Sequence, residues 1–224
     1  MNHEDLTLDE LRLALAPEIA EAAAFDGWGL TALEAAAERL EVPPEVARLA
    51  FPEAAWGHGA MSLIAAWTAH IDAEMAQALP REKLAEMSIR QRIKELVSFR
   101  LDAARPAEEA LRRALAIMAM PQNLRESLAL GWHSADVMWR LAGDTATDLN
   151  HYSKRAILAA IYAATLLIFV DDTSEDKADT SAFLDRRIDG VMQFEKAKAA
   201  WVKRVPADFF SPARFLGRLR YPSG

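Results

Sequence analysis

Residues Ala156 to Val170 form a fifteen-residue run without one charged side chain, bracketed by Lys154 and Arg155 on one side and Asp171 and Asp172 on the other. At about 1.5 Å per residue the run would be roughly 22 Å long as a helix, short of the ~30 Å of hydrocarbon that a transmembrane helix must cross. The expectation is a helix held inside protein, either wrapped by other helices as ordinary core or forming one wall of a cavity that takes something apolar. Directly before it, Trp132 to Arg155 is polar, aromatic and charged, a composition suited to meeting a partner.

The rest of the chain also reads as helix. Alanine, leucine, glutamate and arginine dominate, apolar residues recur at three- and four-residue spacing, and no stretch alternates as a strand would. The fold class is all-α, with nine to ten helices bounded by prolines, glycines and caps. The expected spans are Thr7–Ala24, Leu30–Leu40, Pro44–Ala50, Ala60–Leu79, Ile89–Ala104, Ala107–Met118, Pro121–Ala142, Thr147–Val170, Ser174–Val205 and Pro212–Arg220. Thr7 with Glu10 and Thr31 with Glu34 have capping-box spacing, and Thr180 is a candidate cap. At 224 residues, 52% of them hydrophobic, the chain can bury a core without staples. It contains no cysteine, which excludes disulfides, thiolate metal sites and thiol nucleophiles. The acidic start, MNHEDLTLDELR, lacks the basic and apolar regions of a signal peptide, so cytoplasmic residence is expected.

Charge divides the chain into a head, a body and a tail. Residues 1–58 carry twelve Asp or Glu against three Arg, a net −9, while residues 194–224 carry seven Lys or Arg against two acids, a net +5. The expected organisation is a three-helix head over 1–58, a helical body over 59–205, which the resemblance given below makes the lipid-binding and dimerising part, and a basic aromatic tail over 206–224. The head segment GLTALEAAAERLEVPPEVARLAFPE, following a helix that ends at Phe25-Asp26-Gly27-Trp28, resembles the helix-turn-helix of TetR transcriptional regulators. Its chemistry argues against nucleic acid. Phosphate binding needs Lys and Arg, and the second helix of the motif, PPEVARLAF, offers only Arg48.

A second resemblance covers most of the chain. MPQNL at Met120–Leu124, VMWRLAGDTATDLNHYSKRA at Val137–Ala156 and FLDRRIDGVMQFEK at Phe183–Lys196 resemble the ubiquinone-biosynthesis accessory proteins of the Coq-nine type. That resemblance implies a TetR-like fold, a homodimer, an enclosed lipid pocket, and presentation of a demethoxyubiquinone substrate to a di-iron hydroxylase at a membrane. It also implies that the partner-binding surface lies on the central motif. Where this chain has His151 and Leu149, family members typically carry Trp and Phe. The alternative function is a ligand-responsive TetR-like regulator.

Asp148, His151 and Arg155 share one helical face by their spacing, with Tyr152 and Asn150 beside it. Tyr and Arg combine apolar contact area with a polar end, which favours a partner-docking patch; a capped helix start with Arg155 in a local ion pair is the other reading. For the lipid, Tyr162, Thr165, Leu166 and Phe169 form one candidate wall and Leu115, Met118, Val137 and Met138 the opposite one, though the same residues would serve as plain core. In the tail, Phe209, Phe210, Arg214, Phe215 and Arg218 suit an anionic membrane surface or packing against a dimer. An apolar face of Phe183, Leu184, Ile188, Val191 and Met192 suits a dimer bundle. None of the five histidines, His3, His58, His70, His133 and His151, follows a Glu at the spacing a di-iron bundle requires, and no nucleophile or phosphate-binding motif occurs. The expectation is an accessory protein with neither catalysis, cofactor nor metal, peripheral to the inner face of the membrane.

Overall fold

The computed structural model describes residues 6–55, 59–146 and 149–204. Eleven α-helical segments and three 3-10 turns, with no strand, make up the described residues: α1 Leu8–Asp26, α2 Leu30–Arg39, α3 Pro44–Ala50, α4 Pro52–Ala55, α5 Ala60–Ala78, α6 Arg81–Ala85, α7 Ile89–Ala104, α8 Glu108–Met118, α9 Leu124–Leu141, α10 Leu149–Asp171 and α11 Ala178–Arg204. The chain falls into two units, 1–184 and 185–224. The boundary expected at residue 58 lies inside the first of these. The expected helix Pro212–Arg220, the tail and its membrane-contact residues Phe209, Phe210, Arg214, Phe215 and Arg218 lie outside the described residues.

The nine expected helices that fall on described residues are present, and two one-turn pieces, α4 and α6, are additional. Both short pieces begin at or directly after a proline, whose fixed φ suits a first helical turn. Thr7 and Glu10 form the expected capping box. Ser88 and Gln91 form a second one at the start of α7. Thr31 and Glu34 do not cap: α2 begins at Leu30 with Gly29 as its cap, which places Thr31 inside the helix and frees Glu34 to meet Arg48 of α3.

Helix α1 lies at the centre of the first unit and packs against α2, α3, α5 and α8. Leu11, Leu15, Ile19 and Ala23 recur every four residues along it and are fully buried. The head is tied to the body by Trp28, whose indole donates to the Ala110 carbonyl of α8 at 2.9 Å and whose ring lies 5.5 Å from that of Trp67 in α5. Gly27 makes this approach possible: its φ of +78° ends α1 in a region that L-residues with side chains rarely enter.

Helices α9 and α10 form an antiparallel pair joined by a short connection. Gly143, at φ +90°, closes α9 in a Schellman turn: its amide reaches the Arg140 carbonyl and the Asp144 amide reaches that of Trp139. The apolar run expected to be too short for a bilayer is the middle of a longer helix. Asn150–Asp171 is long and apolar enough, by length and composition, to cross a membrane, yet its residues Arg155, Leu158, Tyr162, Thr165, Leu166 and Phe169 are buried in the helical bundle. Nor is it wrapped on every side by the described residues, since Ala156, Ala160, Ala163 and Leu167 form an exposed stripe along it.

At the far end of α10, Asp172 organises the turn into α11. Its two carboxylate oxygens accept four hydrogen bonds, from the amides and hydroxyls of Ser174 and Thr180, at 2.5–2.8 Å. Thr180, a candidate helix cap by sequence, is therefore a donor to Asp172 inside α11. The hydrogen bonds from the Ser174 and Thr180 side chains hold the Asp172 carboxyl far below the usual carboxylate range, against the opposing effect of burial. A carboxyl depressed on folding contributes stability above its unfolded pKa of about 3.9 and loses it as the pH falls toward the folded value. Replacing Asp172→Asn is expected to lower Tm by roughly 2–4 °C at pH 7. Thermal unfolding of both proteins should show that difference narrowing as the pH drops below about 4.

Candidate functional site

Helix α10 contributes to two features, a cavity on its buried side and an aromatic cluster at its start. The cavity has a volume of about 270 Å³ and lies among α5, α7, α8, α9 and α10. Four residues expected at a lipid site line it: Leu115, Met118, Tyr162 and Leu166. The other four lie elsewhere. Met138 and Thr165 are fully buried away from it, the Thr165 hydroxyl donating to the Ile161 carbonyl at 2.7 Å. Val137 is half-buried outside it. Phe169 is buried beneath the Lys177 ammonium, 4.8 Å from the ring centroid. A helical spacing of three or four residues places side chains on one side of α10, but the cavity is short and meets only part of that side.

The α5 and α7 walls of this cavity, among them Ile64, Trp67, Ile71 and Arg100, are not among the residues expected from sequence. The signal was present. In α7 the buried positions Ile93, Leu96, Val97, Arg100, Leu101 and Ala104 form one stripe in which a single charge interrupts apolar residues. At the opening of the cavity, Leu128 and Leu167 are 67% and 59% exposed.

At the start of α10, Tyr152 is 60% exposed. Its ring lies 6.1 Å from that of Trp132 on α9 and 5.1 Å from the imidazole of His151, which meets it edge-on. His151 Nδ1 is 3.0 Å from the Ala146 carbonyl, which fixes the ring at the turn into the helix. Asn150 is exposed and adjoins this cluster in sequence. Asp148 lies outside the described residues.

Arg155 does not belong to this exposed surface. Its side chain is 2% exposed; Nε donates to Asp136 at 2.5 Å, and Nη1 donates to Asp144 at 3.0 Å and to the His151 carbonyl at 3.1 Å. Asp136 also pairs with Arg140, and Asp144 with Lys154, whose carbonyl accepts from the Trp139 indole. Burial disfavours the charged form of Asp144, but the hydrogen bonds from Lys154 and Arg155 outweigh it and hold the carboxyl below its ordinary range. The expected docking role of Arg155 is therefore corrected: its guanidinium fixes α10 against α9, and what it can do for a partner surface is to hold Tyr152 and His151 in place. The local ion pair weighed in the sequence is the one found.

His70 and Asp136 have ordinary partners. His70 lies 3.5 Å from Glu74 and 3.1 Å from the Leu13 carbonyl, and Asp136 is taken by the two arginines. Among the described residues no group of three or more metal-ligating side chains comes together.

Two substitutions at neighbouring positions should behave oppositely. Tyr152→Ala, at an exposed ring, is expected to change stability by less than about 0.5 kcal/mol. Arg155→Ala leaves Asp136 and Asp144 short of a buried partner and is expected to cost about 3–5 kcal/mol, read by urea unfolding.

The COQ9 family model matches residues 124–195, which cover α9, α10 and the first part of α11. Similarity extends beyond that domain. The "Ubiquinone biosynthesis protein COQ9, mitochondrial" of Rattus norvegicus is 34% identical over 173 residues, 74% of this chain and 54% of the rat protein. The Homo sapiens protein of the same name is 32% identical over the same length, 52% of its own. The chain thus spans about half the length of these curated relatives. Among solved structures, a TetR transcriptional regulator from Nitrosomonas europaea superposes with a TM-score of 0.61 at 22% identity, over 86% of this chain and 99% of the regulator, a likeness of fold. The chain is therefore a relative of the COQ9 ubiquinone biosynthesis proteins, carrying the COQ9 domain at residues 124–195 within an all-helical, TetR-like fold.

Proposed function

We propose that this protein is a lipid-binding accessory factor of ubiquinone biosynthesis, without catalysis of its own, that holds a polyprenylated precursor and presents it to a demethoxyubiquinone hydroxylase. The observation that carries this reading is that one continuous helix, α10, supplies both Tyr162 and Leu166 to an apolar cavity and Tyr152 to an exposed aromatic cluster. A bound lipid and a docked partner would then be coupled through about ten residues of rigid backbone. The names of the relatives, ubiquinone biosynthesis proteins, support the biosynthetic setting. Exposed Leu128 and Leu167 at the opening support a guest whose tail continues outward, because the cavity by itself is small beside the ~300–1,000 Å³ of a site that encloses a drug-sized ligand.

In this reading the partner surface is Trp132, Asn150, His151 and Tyr152, with Asp148 as a further candidate and Arg155 as its internal brace. The protein works as a homodimer, peripheral to the membrane, with Phe209, Phe210, Arg214, Phe215 and Arg218 of the tail as candidate membrane contacts. The alternative, a DNA-binding regulator, has the fold in its favour but not the charge. All three arginines of residues 1–58 are held by carboxylates of the head: Arg12 by Asp9, Arg39 by Glu18 and Glu21, and Arg48 by Glu34. Three arginines among twelve acids offer little to a phosphate backbone.

Protein purified under native conditions is expected to release a neutral isoprenoid lipid on solvent extraction, seen as a bound mass in native mass spectrometry. Recovery of protein with no lipid after expression in a ubiquinone-producing host would count against the cavity reading. For the partner surface, the Trp132→Ala/Tyr152→Ala double variant is expected to keep its lipid and its helical fold but to lose at least about tenfold in affinity for the hydroxylase, as central aromatic contacts generally do. Undiminished co-purification of the hydroxylase would remove these residues from the interface.

A further inference from the structure

On its buried side the apolar cavity carries a polar group that packing does not call for. Arg100 of α7 lines the cavity and is 1% exposed. One of its terminal nitrogens is paired with Asp72 of α5, the other donates to the Ser134 hydroxyl of α9 at 3.1 Å, and the guanidinium lies 5.0 Å from the Tyr162 ring centroid on α10. Four helices thus converge on one side chain. Even so, among the described residues Arg100 Nε and Asp72 Oδ2 find no hydrogen-bond partner. Buried polar atoms without partners are rare, since each keeps its full desolvation cost, and a buried ion pair contributes little net stability over apolar residues of the same volume. Stability therefore gives no account of why a charge stands in the apolar stripe of α7.

Resting on the lipid-cavity reading above, we propose that Arg100 is a head-group anchor, and that the guest is an apolar molecule bearing a neutral oxygen on a ring, a quinone carbonyl or phenol hydroxyl, which accepts a hydrogen bond from the Arg100 guanidinium. The charge balance selects neutral oxygen. Asp72 already matches the guanidinium, so a carboxylate or phosphate head would bring a second negative charge to one cation in a site of low dielectric, at a large desolvation cost. The walls select a ring. Tyr162 and Trp67 are among the residues that line the cavity, and about 270 Å³ accommodates a substituted ring more readily than a long folded chain. The tail then leaves over Leu128 and Leu167, whose exposed side chains flank the opening.

The test compares three ligands on the full chain by calorimetry: a short-tailed benzoquinone, an alkylbenzene of the same carbon length, and a fatty acid of that length. The benzoquinone is expected to bind about tenfold tighter or more than either of the others, because a site built around an oxygen penalises the analogue that lacks it. In the Asp72→Val/Arg100→Met variant, which removes both charges together, alkylbenzene binding should persist and the preference should fall to within about twofold. Should that variant fail to fold, the native protein still decides, through the carbonyl stretch of the bound quinone in infrared difference spectra. A stretch lowered relative to the quinone in alkane supports the anchor, and an unshifted one overturns it. Equal binding of quinone and alkylbenzene by the native protein, or a preference that survives in the double variant, overturns the anchor while leaving the cavity reading intact. Tightest binding of the fatty acid overturns the neutral head group. Binding of none of the three overturns the cavity reading itself and the anchor with it.

Discussion

The arrangement of α9 and α10 depends on the guanidinium of Arg155. It is nearly inaccessible to solvent and is shared between Asp136 on α9 and Asp144 in the connection, with the His151 carbonyl of its own helix as a third acceptor. Such a group contributes modestly to net stability but strongly to uniqueness: any slide or rotation of α10 would strand one cation and two carboxylates in a buried site. The flanking Lys154–Asp144 and Arg140–Asp136 pairs, and the Trp139 indole bonded to the Lys154 carbonyl, extend the same constraint over two turns.

With that register fixed, the remainder of α10 is fixed as well. Tyr162 and Leu166 fall beside the cavity two and three turns after Arg155, and Tyr152 falls on the outside one turn before it. The C-terminal end is held separately. Lys177 donates to the carbonyls of Phe169 and Asp172, Arg112 donates to that of Val170, and these cations meet the negative end of the helix dipole. A helix clamped by ion pairs at its start and by cations at its end behaves as a rigid strut. Its exposed stripe of Ala156, Ala160, Ala163 and Leu167 is accordingly presented as one flat apolar edge.

Much of this could be read from the residues, and the exceptions have physical reasons. Helices bounded by Pro44 and by Ser88 start where their prolines and caps dictate, because those signals are local. The spacing of Thr31 and Glu34 is equally local but yielded to tertiary context, since an earlier start at Leu30 leaves Glu34 opposite Arg48. Periodicity placed Arg155 on one face with His151 but could not say which way the face looks, because the deciding carboxylates, Asp136 and Asp144, lie across a turn whose geometry rests on Gly143. The cavity was half legible for a related reason: pattern identifies one wall of a helix at a time, whereas a cavity is defined by where five helices fail to meet.

The pairing of the head arginines carries a consequence beyond nucleic acid. Residues 1–58 carry twelve carboxylates and three arginines, and with each arginine already matched by a carboxylate of the same segment the excess charge is negative. Within a Debye length such a segment repels any anionic surface, and added salt shortens that reach.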